Sequence, residues 1–269
     1  MTATAGGCCA SGMCVGGTSW YAPPHAYALA QITTPPADVL ATYDIKRNQF
    51  QDASFACGMA TGMRDYEKAA FPKKKLLFET LFTSLHAKEE PVIVEIGMGS
   101  FPNALYYKKY ANNQQFKSLD IIGIDPNDQM ELYAKDNAKR ANIESNVRIV
   151  HGVSEALPLE TNSCDAVICT LTMCSVLNPQ QSVQEIKRIL KPGGKFLFWE
   201  HVLSETDPYL AREQIQRTPQ QMARADGCHL NRRTGETIKA ARFQHLDMQY
   251  FELQNFGFLN PTVCGIATA

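Results

Sequence analysis

The sequence predicts an α/β fold: a mostly parallel, seven-stranded sheet with helices on both faces and a helical cap ahead of it. Three observations carry this expectation. Short apolar runs alternate with amphipathic segments between about residues 91 and 201. A G-x-G turn, Gly97-Met98-Gly99, directly follows the first apolar run. The second run ends in an acid, Asp125. Repeated strand–helix units build a parallel sheet, because each connection must cross over it, and successive crossovers place helices on both faces.

Residues 1–37 contain no Asp, Glu, Lys or Arg and are rich in Ala, Gly, Thr and Pro, so a flexible tail or the remnant of a processed leader is expected. Apolar residues at helical spacing, as in Leu76, Leu77, Leu81 and Leu85, then predict helices over 38–43, 50–63 and 68–86. These form the cap, residues 38–88, which should pack on and partly lid the domain of residues 89–269.

In that domain, strands are expected at 91–96, 120–124, 147–150, 165–170 and 195–200, and helices at 103–110, 129–141 and 179–190. Lys191-Pro-Gly-Gly194 reads as the turn into the fifth strand. Residues 246–253 and 262–267 supply a closing antiparallel hairpin.

Composition narrows the function. The chain has 269 residues, 26 Lys and Arg against 27 Asp and Glu, and a formal net charge of −1. Such a balance creates no field that draws in nucleic acid, so a small-molecule partner is expected, the protein being a monomer or homodimer. No run of 18 apolar residues exists, and no membrane-spanning helix is expected. Of the nine cysteines, Cys164, Cys169, Cys174 and Cys264 lie in or beside apolar, strand-like runs and read as buried thiols. This points to a reducing compartment, cytoplasm or organelle stroma, with a plastid among the candidates. Cys8, Cys9 and Cys14 lack a fourth ligand at metal-site spacing, so no metal is expected. Lys73-Lys74-Lys75 reads as a solvated helix face.

In an open α/β sheet, ligands bind outside the carboxyl ends of the strands. Glycines at 97 and 99 let the backbone turn tightly and approach a ligand. Asp125 is placed to accept hydrogen bonds from both hydroxyls of a ribose, although an acid before Pro126 also suits a helix N-cap. A dinucleotide site would want a third glycine to hold a pyrophosphate, and this chain has Phe101 and Pro102 there. A nucleoside without phosphates fits better.

These motifs resemble those of class I S-adenosylmethionine-dependent methyltransferases, which have Rossmann-like sheets. Val92-Ile-Val-Glu-Ile-Gly-Met-Gly99 is similar to their first motif, Ile124-Asp125-Pro126 to the acidic motif after it, Ser163 to Thr170 to their fourth strand and Ile189 to Phe196 to the turn into their fifth. The resemblance implies S-adenosyl-L-methionine as cofactor and S-adenosyl-L-homocysteine as product. It implies cofactor contacts from Glu95, Gly97, Met98, Gly99, Asp125, Pro126 and Thr170. The acid often found after the third strand is Val153 here, which leaves adenine to backbone groups, Ser154 or Glu155.

Cys169 to Val176, Trp199-Glu-His-Val202 and Asp226-Gly-Cys-His-Leu230 further resemble the methyltransferase-like proteins that methylate small alkyl thiols, although their N-terminal anchor is not expected here. Methyl transfer from a sulfonium is an in-line displacement, so alignment does most of the work, and a thiol acceptor gains from a base. His201, directly after the fifth strand, and Asp226 and His229 are the candidate catalytic residues. Against these roles stand a structural histidine at 201 and capping of the following helix by Asp226 and His229.

The resemblance therefore implies methyl transfer to a small acceptor, with sulfur first. A quinone or other lipid-like carbon acceptor is the alternative. Arsenite methylation stands behind both, because the cysteines are not expected to cluster at the pocket. An inactive S-adenosylmethionine-binding protein is the non-enzymatic alternative, motivated by Phe101 and Val153.

Overall fold

The computed structural model describes residues 30–33, 48–85, 87–111 and 116–269. Two helices come first, α1 (Gln49–Gly62) and α2 (Arg64–Ser84). The sheet and its helices follow as β1 (Val92–Ile96), α3 (Ala104–Ala111), β2 (Asp120–Asp125), α4 (Glu131–Ala141), β3 (Val147–His151), β4 (Cys164–Thr170), α5 (Pro179–Ile189) and β5 (Leu190–His201). Then come α6 (Pro208–Arg224), α7 (Thr234–Ala240), β6 (His245–Phe251) and β7 (Thr262–Thr268). The strand order is β3-β2-β1-β4-β5-β7-β6. Strands β1 to β5 pair in parallel, and β7 runs antiparallel to both β5 and β6. This is the expected seven-stranded, mostly parallel sheet with its closing hairpin.

Alternate residues of each strand enter different cores, as the two-residue period of a strand requires. Val94, Ile96, Val167 and Phe198 pack with Val183 and Ile186 of α5 and Ile238 of α7. Ile93, Ile121, Ile168 and Leu197 pack with α2, α3 and α4. Helices thus cover both faces. Helix α2 grips α3 through stacked rings, Phe82 on Tyr110 at 3.9 Å and Phe78 on Tyr106 at 4.5 Å between centroids, contacts that add to simple burial.

Several sequence expectations shift. Strand β5 begins at Leu190, so Lys191 to Gly194 form its irregular start, with Cys164 opposite Leu190 before the register slips to Ala166 opposite Lys195. Helix α6 has no sequence counterpart, because its buried positions are Gln214 and Thr218 rather than an apolar stripe. Gln214 anchors it by donating to the carbonyls of Val202 and Asn260 and accepting from the Ser204 amide. The lysine run is a solvated face only at Lys73 and Lys75, which are exposed. Lys74 is fully buried, and its Nζ donates to both carboxylate oxygens of Glu67 and to Asn103 Oδ1.

The helix expected over 38–43 and the cysteines at 8, 9 and 14 lie outside the described residues. Residues 30–33 lie along the domain. Ile32 bridges to Leu159, and the Thr33 amide donates to the Pro158 carbonyl. No described helix is long and apolar enough to cross a membrane.

Candidate active site

The carboxyl ends of β1, β2 and β4 open onto a cleft of about 1030 Å³, continuous with solvent. Its floor is the turn after β1. Gly97 and Gly99 have φ of +60° and +55°, the left-handed region that glycine enters without steric cost. A Cβ on Gly97 would also stand 2.2 Å from the Thr172 side chain, so glycine is required there twice over. Phe101 keeps the same backbone, with φ of +59°. The third place of the motif has lost its glycine but not the glycine conformation. Its ring is fully buried beside Tyr107, which offsets the strain of about 1–2 kcal/mol that L-residues carry in this region.

Asp125 ends β2 with its carboxylate fixed by the chain. Oδ2 accepts from the Gly99 amide and Oδ1 from the Asn127 amide, both at 2.8 Å. Asn127, not Asp125, caps the short turn that follows. The Asp125 carboxylate therefore stands at the cleft edge, and Met98, Ile124, Met130 and Val153 line the apolar slot beside it. An acid for a diol, an apolar slot for a flat base and a backbone turn for a close approach are the donor set a nucleoside sulfonium needs, so the residues present fit S-adenosylmethionine.

Of the residues singled out from sequence, Gly97, Met98, Gly99, Asp125, Pro126, Ser154, Thr170 and Asp226 line this cleft. Glu95 lies behind it. Its carboxylate is buried and accepts from Tyr107 Oη at 2.6 Å and Asn103 Nδ2 at 2.9 Å. Burial pushes its carboxyl up to about 7, against the opposing pull of those two donors and of Lys74. The same Asn103 amide reaches Thr170 Oγ1 at 3.0 Å. Glu155 turns away from the cleft and accepts from the Asn178 amide at the head of α5.

His201 and His229 do not line the cleft. His201 is buried, with Nε2 3.2 Å from Cys228 Sγ. His229 Nδ1 contacts the Gly227 and Cys174 carbonyls, and α7 begins only at Thr234, so neither Asp226 nor His229 caps it. A hydrogen bond between Cys174 and Cys228 raises the first thiol and lowers the second. As expected, no described cysteine lines the cleft, but Cys174 and Cys228 meet beside His201 just behind it, Cys174 next to the lining residue Ser175 and Cys228 two residues from Asp226.

The opposite wall comes from the N-terminal helices, through Phe55, Met59, Met63 and Glu67. These residues escaped the sequence reading, although they recur at every fourth position, the spacing of one helical stripe. Leu171 and Asp226 complete this wall, both non-glycine residues in the left-handed region, at φ of +55° and +49°. Strained backbone of this kind concentrates where a scaffold holds functional groups in place.

The model of the methyltransferase domain family matches residues 94–198. The thiol S-methyltransferase TMT1B of Rattus norvegicus is 30% identical over 188 residues, 70% of this chain and 73% of that one. The human thiol S-methyltransferase TMT1A is 27% identical over 204 residues, 75% and 80% of the two chains. Among solved structures, the complex of the Haloferax volcanii Trm112 methyltransferase activator with a methyltransferase contains a chain of similar fold, with a TM-score of 0.58 at 18% identity, covering 81% of this chain and 97% of that one.

Proposed function

The chain belongs to the S-adenosylmethionine-dependent methyltransferases, and from that premise we propose that it methylates a small sulfur acceptor, a thiol before a thioether. The observation that carries this reading is the two-sided cleft. One side offers the glycine turn and Asp125 to a nucleoside, and the other offers apolar side chains interrupted by Glu67 and Asp226. The similarity to thiol S-methyltransferases favours sulfur over carbon as the accepting atom.

Bound there, S-adenosylmethionine supplies an electrophilic methyl group. Gly97 and Gly99 would let the backbone approach it closely, and Asp125 would hold the ribose hydroxyls. Met98, Ile124, Val153 and Ser154, which line the slot beside Asp125, would receive the base. Phe55, Met59, Met63 and Val176 exclude water from the accepting sulfur, which strips the nucleophile of solvation. Asp226 shares the acceptor side with Glu67, which is bound by Lys74, and takes the thiol proton. His201 and His229 hold the loop that carries Asp226 rather than reaching the acceptor.

S-adenosylhomocysteine production from alkyl thiols, thioether acids, quinols and arsenite tests this reading. Turnover confined to sulfur acceptors is expected, whereas turnover on quinols alone would replace sulfur with carbon. Asp226→Asn should lower kcat/KM for a weakly acidic thiol by about 100-fold, the scale of a lost general base. A thiol already ionised at the assay pH should lose much less. Equal losses for both thiols would remove Asp226 from the proton transfer.

A further inference from the structure

Cys174, His201 and Cys228 come from three separate places: the loop after β4, the last residue of β5 and the loop between α6 and α7. Their potential ligand atoms, two Sγ and one ring nitrogen, all lie within 4.8 Å of one another, and all three residues are buried. We propose that they form a binding site for one thiophilic divalent cation of the zinc type.

The donor set is the first argument. Two thiolates and an imidazole match the ligand preference of Zn²⁺, and a Cys₂His set leaves the fourth position of a tetrahedral ion for water or another small ligand. Among the described residues, no further His, Cys, Asp or Glu joins the group. Charge is the second argument. On binding, both thiols release their protons to water, and the two thiolates neutralise the dication. The buried ion therefore adds no net charge, the condition under which a charge can be buried.

The third argument is what the histidine lacks. Its Nδ1 is buried without a hydrogen-bond partner, and its Nε2 has only a sulfur contact at 3.2 Å. An imidazole removed from water on those terms is poorly satisfied. A metal bond at Nε2 replaces the weak sulfur contact with a strong one, and the neutral ring then keeps its proton on Nδ1.

The surroundings are already fixed. Arg232 donates to the Met173 and Val176 carbonyls on either side of Cys174. The His229 amide donates to the Cys174 carbonyl at 2.8 Å. The loops carrying both cysteines are thus clamped before any ion arrives, as a preorganised site requires. Cys164, Cys169 and Cys264 are buried as well but join no such group, so burial alone does not explain the cluster. Ser175 and Asp226, close neighbours in sequence of two of the ligands, line the cleft, and a bound ion would rivet the acceptor wall to β5.

The test uses the full-length chain carrying Cys8→Ser, Cys9→Ser and Cys14→Ser, stripped with a chelator and titrated with Co²⁺. One Co²⁺ per chain is expected, with thiolate-to-cobalt charge-transfer absorption and the visible bands of a four-coordinate ion, both displaced by Zn²⁺. Adding Cys174→Ser or Cys228→Ser should remove about half of the charge-transfer intensity and weaken binding more than about tenfold, whereas Cys57→Ser should change neither. Sub-stoichiometric uptake, a six-coordinate spectrum without thiolate bands, or bands that survive both serine changes would overturn the proposal. Should a serine variant fail to fold, stoichiometry and spectrum of the parent protein decide the matter.

Discussion

Two buried polar clusters flank the central strands, and they are built on opposite principles. Around β1, Glu95, Asn103, Tyr107, Lys74 and Glu67 form a closed network in which both Glu95 oxygens and the Lys74 ammonium have charged or polar partners at 2.6–3.1 Å. At the end of β5, Cys174, His201 and Cys228 make soft, sparse contacts and leave one ring nitrogen unpartnered. The closed network ties α2 and α3 to the sheet, so it is the structural device. The open cluster is short of partners, and that makes it the place able to accept one.

Lys74→Met should sharpen this contrast most. It leaves the buried Asn103 carbonyl oxygen without its donor and the partly exposed Glu67 carboxylate without its cation, at a cost of about 3 kcal/mol, the lower end for breaking a buried pair from one side. Urea unfolding measures it, and a loss below about 1 kcal/mol would show the network to be incidental.

Glu95 offers a pH test of the same network. Its folded-state value of about 7 lies above its ordinary value of 4.5, so the folded protein holds a proton that the unfolded chain has released. The contribution is therefore fully present below pH 4.5 and is lost as pH rises through 7. This loss amounts to roughly 3 kcal/mol. Thermal melts from pH 5 to 8 should show the decline in the parent protein and a flatter profile in Glu95→Gln.

Asp125 lies between the two extremes, fixed by two amides yet open to a ligand. Asp125→Ala should weaken S-adenosylmethionine binding by about 10- to 100-fold, since hydrogen bonds to a charged group contribute about 1.5–3 kcal/mol. Calorimetric titration reads this directly, and an unchanged affinity would move the ribose elsewhere. The smallest effect belongs to the open cluster without metal. Cys228→Ala should cost only about 1 kcal/mol of stability in chelator-treated protein, and a loss as large as that of Lys74→Met would erase the distinction.

The cofactor half of the molecule was legible in sequence because its signals are local. A strand, a glycine turn and an acid at the end of the next strand appear within about 35 residues, and each follows from backbone geometry. The acceptor half was less legible because its signals are scattered or disguised. Cys174, His201 and Cys228 are spaced 27 residues apart, which no short motif captures. Lys74 reads as solvated until the fold places Glu67 two turns away. Helix α6 buries a glutamine and a threonine where an apolar stripe was sought. Phe55, Met59 and Met63 did carry a visible four-residue period, but nothing local says that it faces a cleft rather than a core.

The position of β7 bears on how the chain reaches this structure. It is inserted between β5 and β6, although both are synthesised before it. Until residues 262–268 emerge from the ribosome, β6 has no neighbour and β5 presents a row of unpaired amides and carbonyls. The nascent sheet is then half-open, with a sticky edge along β5. Closure is a late, long-range event of the kind that slows folding, and during translation it is the interval in which the chain most needs protection from its neighbours.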